Sequence, residues 1–101
     1  MIEIIYKNNN NHIEFSSKGH ADFDKIGKDI ICSAVSSIII GGLNAIKEID
    51  SFQIKIEKGD VEVKSLKPVS EHDNIVFETM LIQLKTIEEN YPKNLKVIRR
   101  E

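Results

Sequence analysis

The feature that most constrains this chain is an uncharged run of seventeen residues, 30–46. Its apolar residues recur at the three- and four-residue spacing of a helix. We therefore predict a helix that continues to about Ile49 and is buried on most of its sides. Seventeen residues is the lower limit for crossing a membrane. Because serines, glycines and an asparagine interrupt the run, we expect a helix inside a small domain and no membrane span.

Two adjacent glycines lie inside this run, Gly41 and Gly42. Each costs about 1 kcal/mol relative to alanine in a helix interior. The pair indicates a close approach of a strand or another helix, with a break in the helix as the alternative.

The rest of the chain is typical of short strands and one further helix. Alternating residues predict strands at 2–7, 12–18, 52–57 and 61–64, and a final strand is expected at 95–98. A second helix is predicted from the apolar spacing between Phe77 and Tyr91, with its start capped near Ser70. The resulting ββαββαβ order predicts an α+β, two-layer sandwich in one domain, 1–101. Its sheet is mostly antiparallel and carries both helices on one face, with the strand order left open.

Charge and cysteine content narrow the class of protein. Fourteen lysines and arginines against sixteen acidic residues give a net charge of −2, which argues against broad nucleic-acid binding. A single cysteine cannot form an internal disulfide, so we expect a reduced, cytoplasmic protein. The first ten residues do not have the pattern of a signal peptide.

The only cysteine, Cys32, is predicted in the first turn of the long helix. The helix dipole and unpaired backbone N–H groups favour a thiolate there, and the N–H of Cys32 itself is an expected oxyanion donor. Asp29 is a natural N-cap or an acidic first-turn residue. His20, twelve positions upstream, is a candidate base if the fold brings its ring to the sulfur.

Other interpretations of the same residues stay open. A lone cysteine in an apolar helix is more often a packing residue, and a lone histidine is more often structural. A metal site would add His12, His72 and Asp22 to the pair, but no two of these residues have the close spacing of a zinc motif. We therefore expect no metal and no cofactor. A redox or metal sensor that uses the thiol is a further class.

Two separated motifs resemble one known family. The first is GHA at residues 19–21, and the second is GKDIICSAVS at residues 27–36. In both motifs the sequence is similar to the ribosomal-processing cysteine protease family (Prp, also called YsxB-like). The element order, the chain length and the closing helix also agree, so the resemblance spans the whole chain.

The resemblance implies a cytoplasmic, homodimeric bacterial endopeptidase. It implies removal of a short N-terminal extension from large-subunit ribosomal protein twenty-seven, with cleavage after a phenylalanine in an apolar segment. Carried over by position, His20 is the base and Cys32 the nucleophile. Asp29 and Ser36 match recurrent family positions. Asp29 is then a helix cap or an orienter of His20, and Ser36 bonds near the site or to its own backbone.

The polar loop 22–28 carries two apolar residues, Phe23 and Ile26. Because a glycine stands near each end, we predict a lid that orders over a bound peptide. The predicted lid or substrate-binding residues are Gly19, Ala21, Asp22, Phe23, Ile26 and Gly27.

Two residues of the second helix, Ile75 and Ile82, lie off its apolar stripe and are expected to meet a partner subunit. The alternative to a protease is a non-catalytic, ribosome-associated binding domain in which Cys32 only packs. Neither interpretation includes a membrane or direct nucleic-acid binding.

Overall fold

A computed structural model describes residues 1–25 and 29–100. The predicted order of elements is confirmed, because five strands and two helices follow one another as ββαββαβ. The strands are β1 Ile2–Asn9, β2 His12–Gly19, β3 Phe52–Glu57, β4 Asp60–Ser65 and β5 Leu95–Arg100. The helices are α1 Ile30–Asn44 and α2 Glu71–Asn90, and a short 3-10 turn occupies Ile49–Ser51.

The strand order, which the sequence pattern left open, is β3-β4-β2-β1-β5. Three strand pairs are antiparallel, and β1 pairs in parallel with β5. The β1–β2 hairpin turns at Asn10 and Asn11, both with positive φ, which asparagine tolerates better than most residues. The chain thus enters the sheet near its middle and completes one edge with its last strand.

One face of the sheet carries both helices and contains the core. Tyr6, Phe15 and Phe52 lie on this face, each with its ring centroid within about 6 Å of Phe77 from α2. Phe77 is fully buried, as are the Tyr6 and Ile4 side chains of β1. Burial of aromatic and aliphatic surface between one sheet and two helices holds the layers together.

The expectation for α1 was wrong in two respects. The helix ends at Asn44 rather than near Ile49, and it is buried along one face only. Ile30 is 60% exposed and Ile40 is 37% exposed. In a two-layer sandwich a helix has a partner only on its inner side, so an apolar outer residue stays in contact with water.

The close approach predicted at the glycine pair is confirmed for Gly42. A Cβ atom built there would lie 2.3 Å from the Met80 sulfur of α2, whereas one built at Gly41 has nothing within 4 Å. The absence of a side chain at Gly42 lets the two helices pack closely. Neither helix in the described ranges is long and apolar enough to cross a membrane.

Candidate active site

A cleft opens where β2 ends and α1 begins. Cys32, the third residue of α1, and His20, the residue that follows β2, both line it. The cleft has a volume of about 900 Å³, and its far wall is the β3–β4 hairpin. Cys32 is partly buried and His20 is exposed. The fold therefore brings the two predicted catalytic residues to one cavity.

Asp29 is the N-cap of α1, as predicted. Its Oδ1 accepts the backbone N–H groups of Ile31 and Cys32, each at 3.0 Å. Its Oδ2 accepts the N–H groups of Phe23 at 3.0 Å and Asp24 at 3.4 Å. One carboxylate thus joins the start of the helix to the loop that follows His20.

This arrangement changes the acidity of Asp29. Burial of the carboxylate would raise its pKa, but the N–H groups of Cys32, Phe23 and Asp24 and the Cys32 side chain outweigh that effect. They hold the pKa of Asp29 below its ordinary value of 3.8. The cap is therefore a carboxylate at neutral pH. Its hydrogen bonds run to backbone groups and to Cys32, with none to His20 among the described residues.

One expectation about the helix start was wrong. The N–H of Cys32 was predicted to be free for an oxyanion, but it donates to Asp29. An N-cap residue satisfies the first backbone donors of a helix, and these are the donors that the prediction had left unpaired.

The Cys32 sulfur lies between two polar groups. The N–H of Ala21 donates to Sγ at 3.3 Å. The Asp29 carboxylate is the second, since it accepts the backbone N–H of Cys32, and the Cys32 side chain contributes to the lowered pKa of Asp29. The sulfur thus has both a hydrogen-bond donor and a carboxylate among its neighbours.

The ring of His20 lies over the β3–β4 turn. A Cβ atom built at Gly59 would lie 2.9 Å from the His20 Cε1 atom and 3.0 Å from Nε2. Gly59 has a φ of +72°, and its carbonyl accepts the N–H of Gly19 at 3.0 Å. Within the described ranges, no hydrogen bond joins the His20 ring to the Cys32 sulfur. The ring therefore rests beside a glycine that leaves it space.

Four of the six predicted lid or substrate-binding residues lie in the described part of the chain. Gly19 ends β2 with a φ of +102°, and Ala21 is buried. Asp22, also at positive φ, pairs with the amino group of Met1 at 3.0 Å. Phe23 packs edge-on against Tyr91 with the ring centroids 5.5 Å apart. Ile26 and Gly27 lie outside the described residues, so the lid stays a prediction.

Ser36 lies one turn after Cys32 and also lines the cleft. Of the residues considered for a metal site, His72 contacts the carbonyl of Ala45 at 3.0 Å, and His12 lies at the start of β2. In the part of the chain that the structure describes, no three His, Cys, Asp or Glu side chains are grouped as metal ligands.

One end of the cleft is apolar. Ile56 of β3 pairs with Val61 of β4, which in turn pairs with Ser17 of β2, and this corner of the helix-bearing face is not covered by α1. Apolar residues of α1 complete the wall, namely Val35, Ile39 and Ile40. The cleft thus has a polar end at Cys32 and an apolar end that suits large hydrophobic side chains.

Sequence reasoning missed two residues that shape this site. Gly59 borders the His20 ring, and Asn94 donates from its side-chain amide to the Ala21 carbonyl at 2.9 Å. Both come from parts of the chain that only the strand order brings to the end of β2. The order of the strands in the sheet would have identified both residues, and the sequence pattern left that order open.

Comparison with known proteins gives a consistent result. The model of the family described as "Cysteine protease Prp" matches residues 1–96. The ribosomal processing cysteine protease Prp of Staphylococcus aureus is 32% identical over 83 residues, 78% of each chain. A crystal structure of S. aureus Prp with a covalently linked product peptide is similar with a TM-score of 0.87 and 28% identity, over 99% of this chain and 100% of that one. A second, with a substrate peptide, has a TM-score of 0.81 and 27% identity at the same coverage.

Proposed function

The chain belongs to the cysteine protease Prp family, and from that membership we propose that Cys32 is its nucleophile and His20 its general base. The observation that carries this assignment is the shared cleft. Cys32 is the only cysteine in the chain, it lies in the first turn of α1, and it lines the same cavity as His20. A cysteine protease needs both groups at one cavity.

In the first half of the reaction, the His20 ring leaves Gly59 and takes the proton from the Cys32 thiol. The sulfur then attacks the scissile carbonyl carbon, and a C–S bond forms. The C=O π bond opens and negative charge develops on the carbonyl oxygen, and the N–H of Ala21, which donates to the Cys32 sulfur before the attack, is the donor that we propose for it. The C–N bond breaks, and the leaving amine takes its proton from His20.

In the second half, water attacks the thioester carbonyl. His20 accepts a proton from the water as the C–O bond forms. The C–S bond breaks, and the sulfur regains the proton to restore the thiol. Asp29 holds the helix start and the loop together through both halves, and Ser36 offers a hydroxyl one turn deeper in the cleft.

The substrate that we propose is the N-terminal extension of large-subunit ribosomal protein twenty-seven. The S. aureus relatives hold a substrate peptide and a covalently linked product peptide. The apolar end of the cleft suits a peptide that is cut after a phenylalanine in an apolar segment. Processing of a ribosomal protein and a chain with one unpaired cysteine both favour the cytoplasm as the location.

The direct test is cleavage of a synthetic peptide that spans the extension and its cut site. The unmodified protein should release the extension, whereas Cys32→Ala should lose cleavage yet still bind the peptide. Ser33→Ala, at the neighbouring exposed position of the same turn, is the matched control and should retain most activity. Cleavage that survives in Cys32→Ala would remove Cys32 from the reaction.

A homodimer is the proposed assembly, through the outer face of α2. Ile75 and Ile82 are 58% and 67% exposed there. Light scattering should give twice the monomer mass, and Ile82→Glu should shift the protein towards monomer. Gln83→Glu adds the same charge at the next exposed position and should leave the mass unchanged. Equal masses for both variants would place the interface elsewhere.

The loop 22–28 is the proposed lid over the bound peptide. Its described part is tied to Asp29 by the N–H groups of Phe23 and Asp24. Amide hydrogen exchange across residues 22–28 should slow when a non-cleavable peptide binds. Equal exchange with and without the peptide would contradict the lid.

A further inference from the structure

We infer that Asn94, in the turn between α2 and β5, is a positioning residue for the nucleophile. It acts through Ala21 on the Cys32 sulfur. This inference rests on the proposed role of Cys32.

The link consists of two hydrogen bonds through one residue. The side-chain amide of Asn94 donates to the carbonyl of Ala21 at 2.9 Å. The N–H of the same Ala21 donates to the Cys32 sulfur at 3.3 Å. Asn94 therefore fixes the orientation of the residue whose N–H is aimed at the reacting atom.

Asn94 is itself held firmly. Its carbonyl accepts the N–H of Ile2 at 2.9 Å, and its own N–H donates to the carbonyl of Tyr91 at 3.0 Å. Both backbone groups of Asn94 are thus occupied by the sheet and by the end of α2. The side chain extends from a fixed base, which is what a positioning group requires.

The neighbours of Ala21 are held by other bonds, the Gly19 N–H by Gly59 and the Phe23 N–H by Asp29, but among the described residues Asn94 gives the only hydrogen bond to the Ala21 carbonyl. Gly19 and Asp22, on either side of the His20–Ala21 pair, both have positive φ. Ala21 is buried but has only a methyl group to pack. Without the Asn94 amide, the Ala21 carbonyl loses its partner, and the peptide unit that follows Ala21 is held less firmly. The N–H then no longer points steadily at the sulfur.

The test compares Asn94→Ala and Asn94→Ser with Asn90→Ala. The first two remove the amide donor without adding charge. Asn90 makes the same kind of bond, from its side-chain amide to the Thr86 carbonyl at 3.1 Å, on an exposed part of α2 away from the site. Asn90→Ala therefore controls for the loss of one amide-to-carbonyl bond.

Three quantities are measured on each folded variant, namely kcat, KM and the pH dependence of Cys32 alkylation by iodoacetamide. Cys32 is the only cysteine, so alkylation reports on one sulfur. Both Asn94 variants should lower kcat about tenfold with KM nearly unchanged, and alkylation should require a higher pH. Asn90→Ala should leave all three quantities unchanged.

The outcomes separate this inference from the proposed function. If Cys32→Ala is inactive but the Asn94 variants match Asn90→Ala, Asn94 has no positioning role and the proposed nucleophile stands. If the Asn94 variants only lose thermal stability, with alkylation unchanged in the folded protein, their role is structural and the inference fails. If Cys32→Ala still cleaves, the proposed function itself fails. Where Asn94→Ala does not fold, Asn94→Ser decides, since serine suits a turn.

Discussion

At the scale of single residues, Asp29 combines two tasks that are usually separate. One oxygen caps the helix that presents Cys32, and the other holds the loop after His20. Cys32 and the loop cannot shift relative to one another without breaking a bond to this carboxylate. Asp29 caps the helix in the described part of the chain, and its predicted role as an orienter of His20 stays a prediction.

Asp29 should make the stability of the protein depend on acid. Its pKa in the folded state is held below 3.8. As the pH falls, the unfolded chain therefore binds the proton at a higher pH than the folded protein does. The stabilisation is complete above the unfolded pKa and is lost as the pH falls through the folded pKa. Asp29→Asn should lower the urea midpoint at neutral pH, and the difference from the unmodified protein should narrow as the pH falls below 3.8.

Asp24→Asn is the control for that measurement. Asp24 is exposed, and among the described residues its side chain accepts only from the N–H of the adjacent Lys25. Its urea midpoint at neutral pH should match that of the unmodified protein. If the difference in urea midpoint between the Asp29 variant and the unmodified protein does not change with pH, the charge of Asp29 contributes nothing to stability.

At the scale of elements, the packing of α1 against α2 depends on one glycine. Gly42 faces Met80, which is buried, whereas Gly41 faces solvent. Substitution should therefore change the stability of the protein in opposite directions at these two glycines, although their helix propensity is the same.

Gly42→Ala should destabilise the protein by about 1–2 kcal/mol, because its Cβ overlaps the Met80 side chain in a packed interface. Gly41→Ala should stabilise it by about 0.5–1 kcal/mol, since alanine restricts the unfolded chain and meets nothing in the folded one. Urea unfolding of both variants measures the difference. Equal shifts of the same sign would mean that helix propensity alone governs both positions.

At the scale of the whole molecule, local patterns predicted the elements but not their neighbours. Alternation along β1 and helical spacing along α2 reflect burial on one face, and a single segment shows this. The order β3-β4-β2-β1-β5 depends on contacts between distant segments. Gly59, which lines the cleft, and Asn94, which bonds Ala21, come from turns that this order brings to the end of β2, so segment patterns could not predict either of them.

Asp73, which is fully buried in α2, also connects two distant segments of the chain. Its carboxylate accepts the N–H groups of Lys47 at 2.8 Å and Glu48 at 3.1 Å, in the segment that follows α1. Asp73→Ala should cost about 1–3 kcal/mol, because these donors lose their partner. Thermal unfolding measures this cost. Asp50→Ala, at an exposed position nearby, should leave the thermal stability unchanged. An equally small effect of Asp73→Ala would mean that the hydrogen bonds of Asp73 do not stabilise the protein.

The place of β5 in the sheet has a consequence for how the protein matures. Cys32 and His20 are translated early, but β5 lies beside β1 and Asn94 directly precedes it. A nascent chain that has emerged only as far as α2 holds the thiol and the imidazole without the amide that braces Ala21. On the proposed roles of Cys32 and Asn94, full activity therefore has to wait until the last strand docks beside β1.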